Sequence, residues 1–200
     1  ISTGMANERE IGAALETAHK HGCGDVALLH CVSGYPAPAE EYHLATIPDM
    51  RQRFGVEVGL SDHTLGSATA VAATALGATL LEKHFTLSRA DGGPDSAFSM
   101  EPAELSQLVM DTRTAWSALG APRYSLSASE QSNIQFRRSL YLVKDVAAGE
   151  RLTAAHVRSV RPGLGLPPAD YDRVINAVAR RNLAANTPLC WEDLYEAPQA

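Results

Sequence analysis

The sequence predicts an α/β fold in which four consecutive β/α units, half of a closed (β/α)8 barrel, precede a small β-rich domain. Continuous apolar segments alternate with amphipathic helical patterns, which is typical of a parallel sheet covered by helices. Each apolar segment ends in polar residues, as strands do at the mouth of such a barrel. An open doubly wound sheet also binds ligands at its strand ends, but its glycine-rich phosphate motif is missing here.

The four units follow one another without interruption. The first begins with a strand stub ending at Ser2, and its helix opens with Asn7 and Glu10 at the spacing of a capping box. The predicted bounds are helix 7–21 in the first unit, strand 25–31 and helix 39–54 in the second, strand 56–61 and helix 67–76 in the third, and strand 78–85 and helix 102–119 in the fourth.

The sequence changes character after the fourth unit. Residues 1–120 form the predicted half barrel, 121–136 read as a polar linker, and 137–200 as a small domain of short strands and turns. Within that domain, the segments 145–157 and 182–194 resemble each other. A domain this small is expected to gain stability by packing on something else.

Composition excludes several classes of function. The net charge is −6 and there is no basic run, so we expect no nucleic-acid partner. No apolar stretch reaches the ~20 residues of a membrane span. Three scattered cysteines fit reduced thiols in the cytoplasm. Because Ile1 leads directly into Ser2, Thr3 and Gly4 like a strand end, we expect the chain to start inside a larger domain.

Two histidines end successive strands. His63 and His84 should therefore be neighbours at the barrel mouth, where two imidazoles suit a catalytic divalent metal that keeps water or substrate as further ligands. Asp62 and Glu82 could orient the imidazoles. Alternatively the histidines are hydrogen-bonded structural residues, and the acidic groups are solvated or paired with Lys83.

Other polar residues fall at the same end of the predicted sheet. The hydroxyls of Ser2, Ser33 and Ser61 could bind a phosphate or cap helices. Asp95, in the long loop 88–102, could line a sugar site or stabilise a turn. Arg161, in a loop stiffened by glycine and proline, could bind an anion or a carbonyl oxygen, or be an ordinary exposed arginine.

Several motifs in fixed order resemble the sialic acid synthase family: STGM, LLHCVSGYPAP, GLSDHT, EKHFTL, GGPDSAFSMEP and RRSLYLVKDVAAGE…VRSVRPGLGL. The resemblance covers essentially the whole chain. It implies a (β/α)8 TIM barrel followed by an antifreeze-like (SAF) β-clip domain. It also implies condensation of phosphoenolpyruvate with an acetamido sugar. The last two motifs are most similar to the pseudaminic acid synthase branch, whose acceptor is 2,4-diacetamido-2,4,6-trideoxy-L-altrose. The N-acetylneuraminate and legionaminate branches remain alternatives.

The resemblance also implies roles for individual residues. His63 and His84 correspond to metal-binding histidines that hold Mn²⁺ or Mg²⁺, and Glu82 to an acidic group beside them. Ser2 and Ser61 match contacts to phosphoenolpyruvate, and Ser33 stands where the N-acetylneuraminate synthases have Asn. The remaining matches are Tyr35 and Asp95 as contacts to the acceptor sugar, and Arg161 as the arginine that reaches into the partner subunit's barrel in a swapped homodimer.

Some family residues have no counterpart in this sequence. The resemblance implies an earlier glutamate, lysines and a threonine that help bind the phosphate, so we expect these 200 residues to hold an incomplete site. A non-catalytic carbohydrate-binding or dimerising module and a generic metal-dependent aldolase are the rival functions.

Overall fold

The computed structural model describes residues 1–195 and divides the chain into two compact units, Ile1–Pro122 and Arg123–Ala200. The second unit begins inside the stretch predicted to be a linker. Each unit has its own hydrophobic core.

A parallel sheet forms the centre of the first unit. Its strands β1 (Ala27–Cys31), β2 (Glu57–Asp62) and β3 (Leu81–Lys83) lie in the order β1-β2-β3. The predicted strand stub lies beside them, because Ser2 bridges Leu29 in parallel. Sequential parallel neighbours of this kind confirm the predicted series of β/α units.

The helices of the first unit largely follow the predicted pattern. They are α1 (Glu8–Lys20), α2 (Thr46–Phe54), α3 (Ala68–Ala75) and α4 (Pro102–Leu119). The capping box of Asn7 and Glu10 is present at the start of α1.

Two predicted bounds are wrong. The single helix 39–54 is a 3-10 turn, Ala39–Glu41, followed by α2, because His43 between them has a φ of 42° that no right-handed helix accepts. The strand predicted at 78–85 keeps only Leu81–Lys83, since after it the chain turns away and Phe85 bridges Met100.

Gly59 allows the central strand to pack closely. A Cβ at this position would lie 2.4 Å from the Leu80 carbonyl oxygen and 2.7 Å from Leu29 Cδ2. The strand therefore needs a residue without a side chain here. Behind it, Leu28, Val58 and Leu60 are fully buried together with Tyr42 and Ile47.

The second unit is built from two short antiparallel pairs. Strand β4 (Ser139–Leu142) pairs with β5 (Val157–Val160), and β6 (Val178–Ala179) pairs with β7 (Leu194–Tyr195). The short helix α5 (Tyr171–Val174) lies between the pairs in the chain. A 3-10 helix, Ala128–Phe136, occupies most of the predicted linker.

The internal similarity of this unit is a structural repeat. A shift of 37 positions carries Leu142 to Ala179 and Val157 to Leu194, and it turns the β4–β5 register into the β6–β7 register. Val146 and Leu183 exchange two backbone hydrogen bonds of 2.9 Å, which places them at the centre of an approximate two-fold axis. The two similar segments therefore complete one core between them.

Candidate functional site

His63 and His84 lie side by side just beyond the carboxyl ends of β2 and β3. Their ring centroids are 5.2 Å apart. His63 is 6% exposed, whereas His84 is half-buried. Parallel pairing of neighbouring strands places the two rings at the same edge of the sheet.

The segment between β1 and α2 fixes the orientation of His63. Its Nδ1 lies 2.8 Å from the Val32 carbonyl oxygen, so this nitrogen carries the proton. The His63 backbone N–H donates to the Tyr42 hydroxyl at 2.7 Å, and its carbonyl accepts from the Ala37 N–H at 3.1 Å. Nε2 is left with a free lone pair, 3.4 Å from the Ser61 hydroxyl oxygen.

Glu82 joins this group through Ser61. The Ser61 hydroxyl donates to the Glu82 carboxylate at 2.7 Å, and the two residues are direct partners in the sheet register. Ser61 is buried, whereas Glu82 is exposed. An acidic group, a hydroxyl and an imidazole therefore form one continuous polar contact at the strand ends.

Asp62 and Lys83 form a separate buried ion pair. Their charged atoms are 2.9 Å apart, with side chains 1% and 3% exposed. Asp62 also accepts from the backbone and hydroxyl of Thr64, and Lys83 donates to the Thr64 carbonyl. Asp62 is thus engaged with Lys83 and Thr64, as the alternative interpretation predicted. The Lys83 amine is likewise occupied, by Asp62 and the Thr64 carbonyl.

Two aromatic rings border the histidines. Tyr35 lies 4.3 Å from His63 and 5.7 Å from His84, measured between ring centroids, and it is 54% exposed. Phe98 lies 5.1 Å from His84 and 5.9 Å from Tyr35. Asp95, from the same loop as Phe98, approaches His84 Nδ1 to 3.6 Å.

Arg89 fastens this loop to α4. Its backbone N–H donates to Glu101, and its guanidinium contacts the Ser99 carbonyl and both carboxylate oxygens of Glu104. Asp95 and Phe98 therefore sit on a loop that is tied at both ends.

The remaining predicted residues do not contact the histidine pair. Ser2 and Ser33 are exposed, and the Ser33 hydroxyl lies 3.1 Å from where a Cβ on Gly4 would be. Ser2, Ser33 and Ser61 cap no helix in the described part of the chain, so the capping alternative is wrong for all three. Arg161 belongs to the second unit, where it is exposed and has no hydrogen bond or ion pair among residues 1–195.

Sequence reasoning missed Phe98 and Tyr42. Phe98 lies in the motif GGPDSAFSMEP, but the motif does not say that its ring reaches His84. Tyr42 is fully buried, and its hydroxyl donates to the Ser61 carbonyl and accepts from His63. Burial, which opposes the charged form, raises the pKa of Tyr42 to about 12. No local pattern predicts either contact.

His63 and His84 are the two residues at this edge that could contribute nitrogen ligands to a divalent cation. His63 presents a single lone pair, oriented by a carbonyl on its other nitrogen, and such orientation is usual for metal-binding imidazoles. Within residues 1–195 there is no group of three or more histidine, cysteine, aspartate or glutamate side chains arranged around one point. Two imidazoles would leave the remaining positions to water or substrate.

None of the helices described in residues 1–195 combines the length and apolar character needed to cross a membrane.

Comparison with known proteins gives matches along nearly the whole chain. Pseudaminic acid synthase of Helicobacter pylori is 38% identical over 97% of this chain and 57% of its own length. N,N'-diacetyllegionaminic acid synthase of Campylobacter jejuni is 40% identical over 91% of this chain and 55% of its own length. The chain thus spans about half the length of these curated relatives.

A solved structure agrees with these matches. The spore coat polysaccharide biosynthesis protein SpsE of Bacillus subtilis is 29% identical, with a TM-score of 0.56, over 97% of this chain and 60% of that structure. Residues 1–124 match the NeuB family and residues 137–194 match the SAF domain. The fold is thus the α/β barrel type of that family, followed by a SAF domain, and the chain belongs to the NeuB family.

Proposed function

We propose that the protein is a nonulosonic acid synthase that condenses phosphoenolpyruvate with an acetamido sugar. The observation that carries the proposal is the contact between Ser61, His63, His84 and Glu82 at one sheet edge, with the His63 Nε2 left free. The printed names of the relatives from Helicobacter and Campylobacter support the reaction class.

His63 and His84 would hold the Mn²⁺ or Mg²⁺. When bound, such a cation supplies Lewis-acid polarisation of the aldehyde oxygen of the open-chain sugar. The Val32 carbonyl keeps the proton on His63 Nδ1, so that Nε2 stays available as a ligand. The Asp62–Lys83 pair holds the ends of β2 and β3 together beside these two residues.

The other residues would bind and align the two reactants. In the proposed reaction, carbon 3 of phosphoenolpyruvate bonds to the aldehyde carbon, water adds at carbon 2, and the C–O bond to phosphate breaks to release inorganic phosphate. Ser2 and Ser33, from the neighbouring strand ends, would donate to phosphoenolpyruvate, and the Ser61 hydroxyl would do so by turning from Glu82 to the ligand. Tyr35 and Asp95 would face the sugar, since both border the histidine pair.

Within this class we propose pseudaminic acid synthase, with 2,4-diacetamido-2,4,6-trideoxy-L-altrose as the acceptor. The motifs GGPDSAFSMEP and RRSLYLVKDV support this choice. Legionaminic acid synthase is the second candidate, favoured by the 40% identity of the Campylobacter relative. N-acetylneuraminate synthase is the third.

Phosphate release from phosphoenolpyruvate, measured on the natural protein at its full length, tests the proposal. We expect release that depends on Mn²⁺ or Mg²⁺, stops with EDTA and is fastest with the pseudaminate precursor. His63→Ala and His84→Ala should reduce it below detection while circular dichroism stays unchanged, and the α1 variant His19→Ala should behave as the wild type. No release with any of the three acceptors would favour a non-catalytic module.

We also propose a homodimer in which Arg161 enters the partner subunit's barrel. The free Arg161 guanidinium supports it, as does the charge distribution. Residues 1–122 contain 7 Lys and Arg against 15 Asp and Glu, whereas residues 123–200 contain 10 against 8. The opposite net charges of the two units, −8 and +2, favour contact between the second unit of one chain and the first unit of another, against the repulsion of two chains that each carry −6 overall.

Mixing two inactive variants distinguishes a swapped site from an unswapped one. We expect Arg161→Ala and His84→Ala proteins, inactive alone, to regain about a quarter of wild-type activity after subunit exchange, because half of the dimers then contain one intact site of two. No regained activity, with exchange verified by mass spectrometry, would exclude the swap.

A further inference from the structure

The connection between β1 and α2, residues 32–45, holds His63 at three points. The Val32 carbonyl binds its ring Nδ1, the Ala37 N–H binds its carbonyl oxygen, and the Tyr42 hydroxyl accepts from its N–H. Of the polar groups of His63, only Nε2 does not bond to this connection. A single segment thus determines where that nitrogen points.

Tyr42 anchors the connection. The residue is fully buried, and its ring meets the His30 ring edge-on with centroids 6.1 Å apart. The Tyr42 carbonyl oxygen lies 2.5 Å from His30 Nε2, which ties the residue to β1. The hydroxyl then spans the end of β2, accepting from His63 N–H at 2.7 Å and donating to the Ser61 carbonyl at 3.2 Å.

The hydroxyl satisfies backbone groups where β2 ends. His63 and Ser61 are 6% and 2% exposed, so water has little access to their peptide groups. Without the hydroxyl, the His63 N–H must move to find another partner, and the side chain moves with it. Ser61 and His63 both have proposed roles, and the position of this backbone determines where their side chains lie.

We infer that Tyr42 is a positioning residue: its buried hydroxyl fixes the backbone from Ser61 to His63 and thereby aims the Ser61 hydroxyl and His63 Nε2 at the cation and phosphoenolpyruvate. This inference rests on the proposed function. Tyr42 is fully buried and both bonds of its hydroxyl go to backbone groups, so it would act only through the two residues that it holds.

Mn²⁺ binding to the natural full-length protein tests the inference independently of turnover. The free Mn²⁺ signal in electron paramagnetic resonance gives Kd for the wild type, Tyr42→Phe, and the matched control Tyr141→Phe. Tyr141 is also buried, at 8% exposed, but its hydroxyl makes no hydrogen bond within residues 1–195. We expect Tyr42→Phe to raise Kd by about 10-fold or more, as loss of an orienting partner does, and Tyr141→Phe to leave it unchanged.

Steady-state kinetics provide the second readout. Tyr42→Phe should lower kcat and raise KM for phosphoenolpyruvate, because it disturbs Ser61 as well as His63, with circular dichroism unchanged. Wild-type Kd, kcat and KM in this variant would overturn the inference while leaving the proposed function intact. If the wild type releases no phosphate but Tyr42→Phe still weakens Mn²⁺ binding, the proposed reaction fails and the positioning role stands.

A second variant covers the case in which Tyr42→Phe does not fold. His30→Phe removes the contact to the Tyr42 carbonyl and keeps the hydroxyl, so we expect a smaller rise in the Kd for Mn²⁺. An unchanged Kd in a folded His30→Phe protein would then contradict the anchoring of the connection. A wild type that binds no Mn²⁺ would overturn the metal role and this inference together.

Discussion

The polar residues at the strand ends show how neighbours in sequence take different partners. The side chains of residues 61 to 63, at the carboxyl end of β2 and just beyond it, alternate in direction. Ser61 and His63 share one polar contact, while Asp62 turns to Lys83 on the other side. The pair of histidines was predictable from their position after successive strands, but their bonded partners were not.

The thiol of Cys190 is expected to be unreactive. A hydrogen bond from its Sγ–H to the Asp193 carboxylate, at 2.9 Å, together with burial, raises the pKa of Cys190 to about 11. Iodoacetamide at pH 8 should therefore alkylate the exposed Cys23 well before Cys190, as followed by peptide mass spectrometry. Asp193→Asn should speed the reaction of Cys190; equal rates at Cys23 and Cys190 in the wild type would contradict the prediction.

Asp193 should make the second unit sensitive to acid. Burial opposes its charge, but the hydrogen bond from Cys190 and the contacts with Arg181 outweigh burial and lower the pKa of Asp193 below its usual value. A carboxyl whose pKa is lower in the folded state stabilises the protein above its unfolded pKa of about 3.9, and this contribution is lost as the pH falls through the folded value.

We therefore expect the free energy of unfolding of this unit to fall as the pH drops below about 4. Urea denaturation at several pH values measures this free energy. In Asp193→Asn, it should change less steeply with pH in the acid range. If the free energy of unfolding falls equally steeply with pH in wild type and variant, Asp193 is not the responsible group.

Among the secondary-structure elements, strand β2 can pack closely against its neighbours only because residue 59 is glycine. Gly59→Ala should cost about 1–3 kcal/mol, since its Cβ would meet the Leu80 carbonyl oxygen, a backbone atom that cannot rotate away. Chemical denaturation measures the loss. Gly24→Ala is the matched control, because nothing lies within 4 Å of its Cβ position. Equal stability of both variants would refute the close approach.

The buried ion pair between Asp62 and Lys83 stabilises the ends of β2 and β3. Lys83→Met should destabilise the first unit by about 3–5 kcal/mol, because it leaves the Asp62 carboxylate buried without its partner. Arg53→Met removes an exposed arginine that pairs with Glu8 and Asp49 at the surface, and this substitution should cost far less. Thermal unfolding of the two variants gives the comparison, and similar losses would contradict the special role of the buried pair.

For the molecule as a whole, the internal repeat gives the second unit a complete core of its own. The core residues are Leu140, Leu142, Val146, Leu152, Val157, Leu166, Val174, Ala177, Ala179, Leu183, Leu189 and Leu194. We expect residues 123–200 to fold when expressed alone, with a dispersed NMR spectrum and one cooperative unfolding transition. A poorly dispersed NMR spectrum would mean that the second unit needs the first unit in order to fold.

The sequence by itself determined the order of the β/α units, the change of character after residue 120, the repeat, and the placement of His63 and His84 at neighbouring strand ends. These features follow from local periodicity and from the rule that parallel strands end at one edge. Only the tertiary structure decided that His63 keeps Nε2 free and that Asp62 pairs with Lys83. It also decided that the Tyr42 hydroxyl bonds to the backbone of Ser61 and His63. Such contacts join residues about twenty or thirty positions apart, and local patterns along a chain do not specify side-chain partners at that separation.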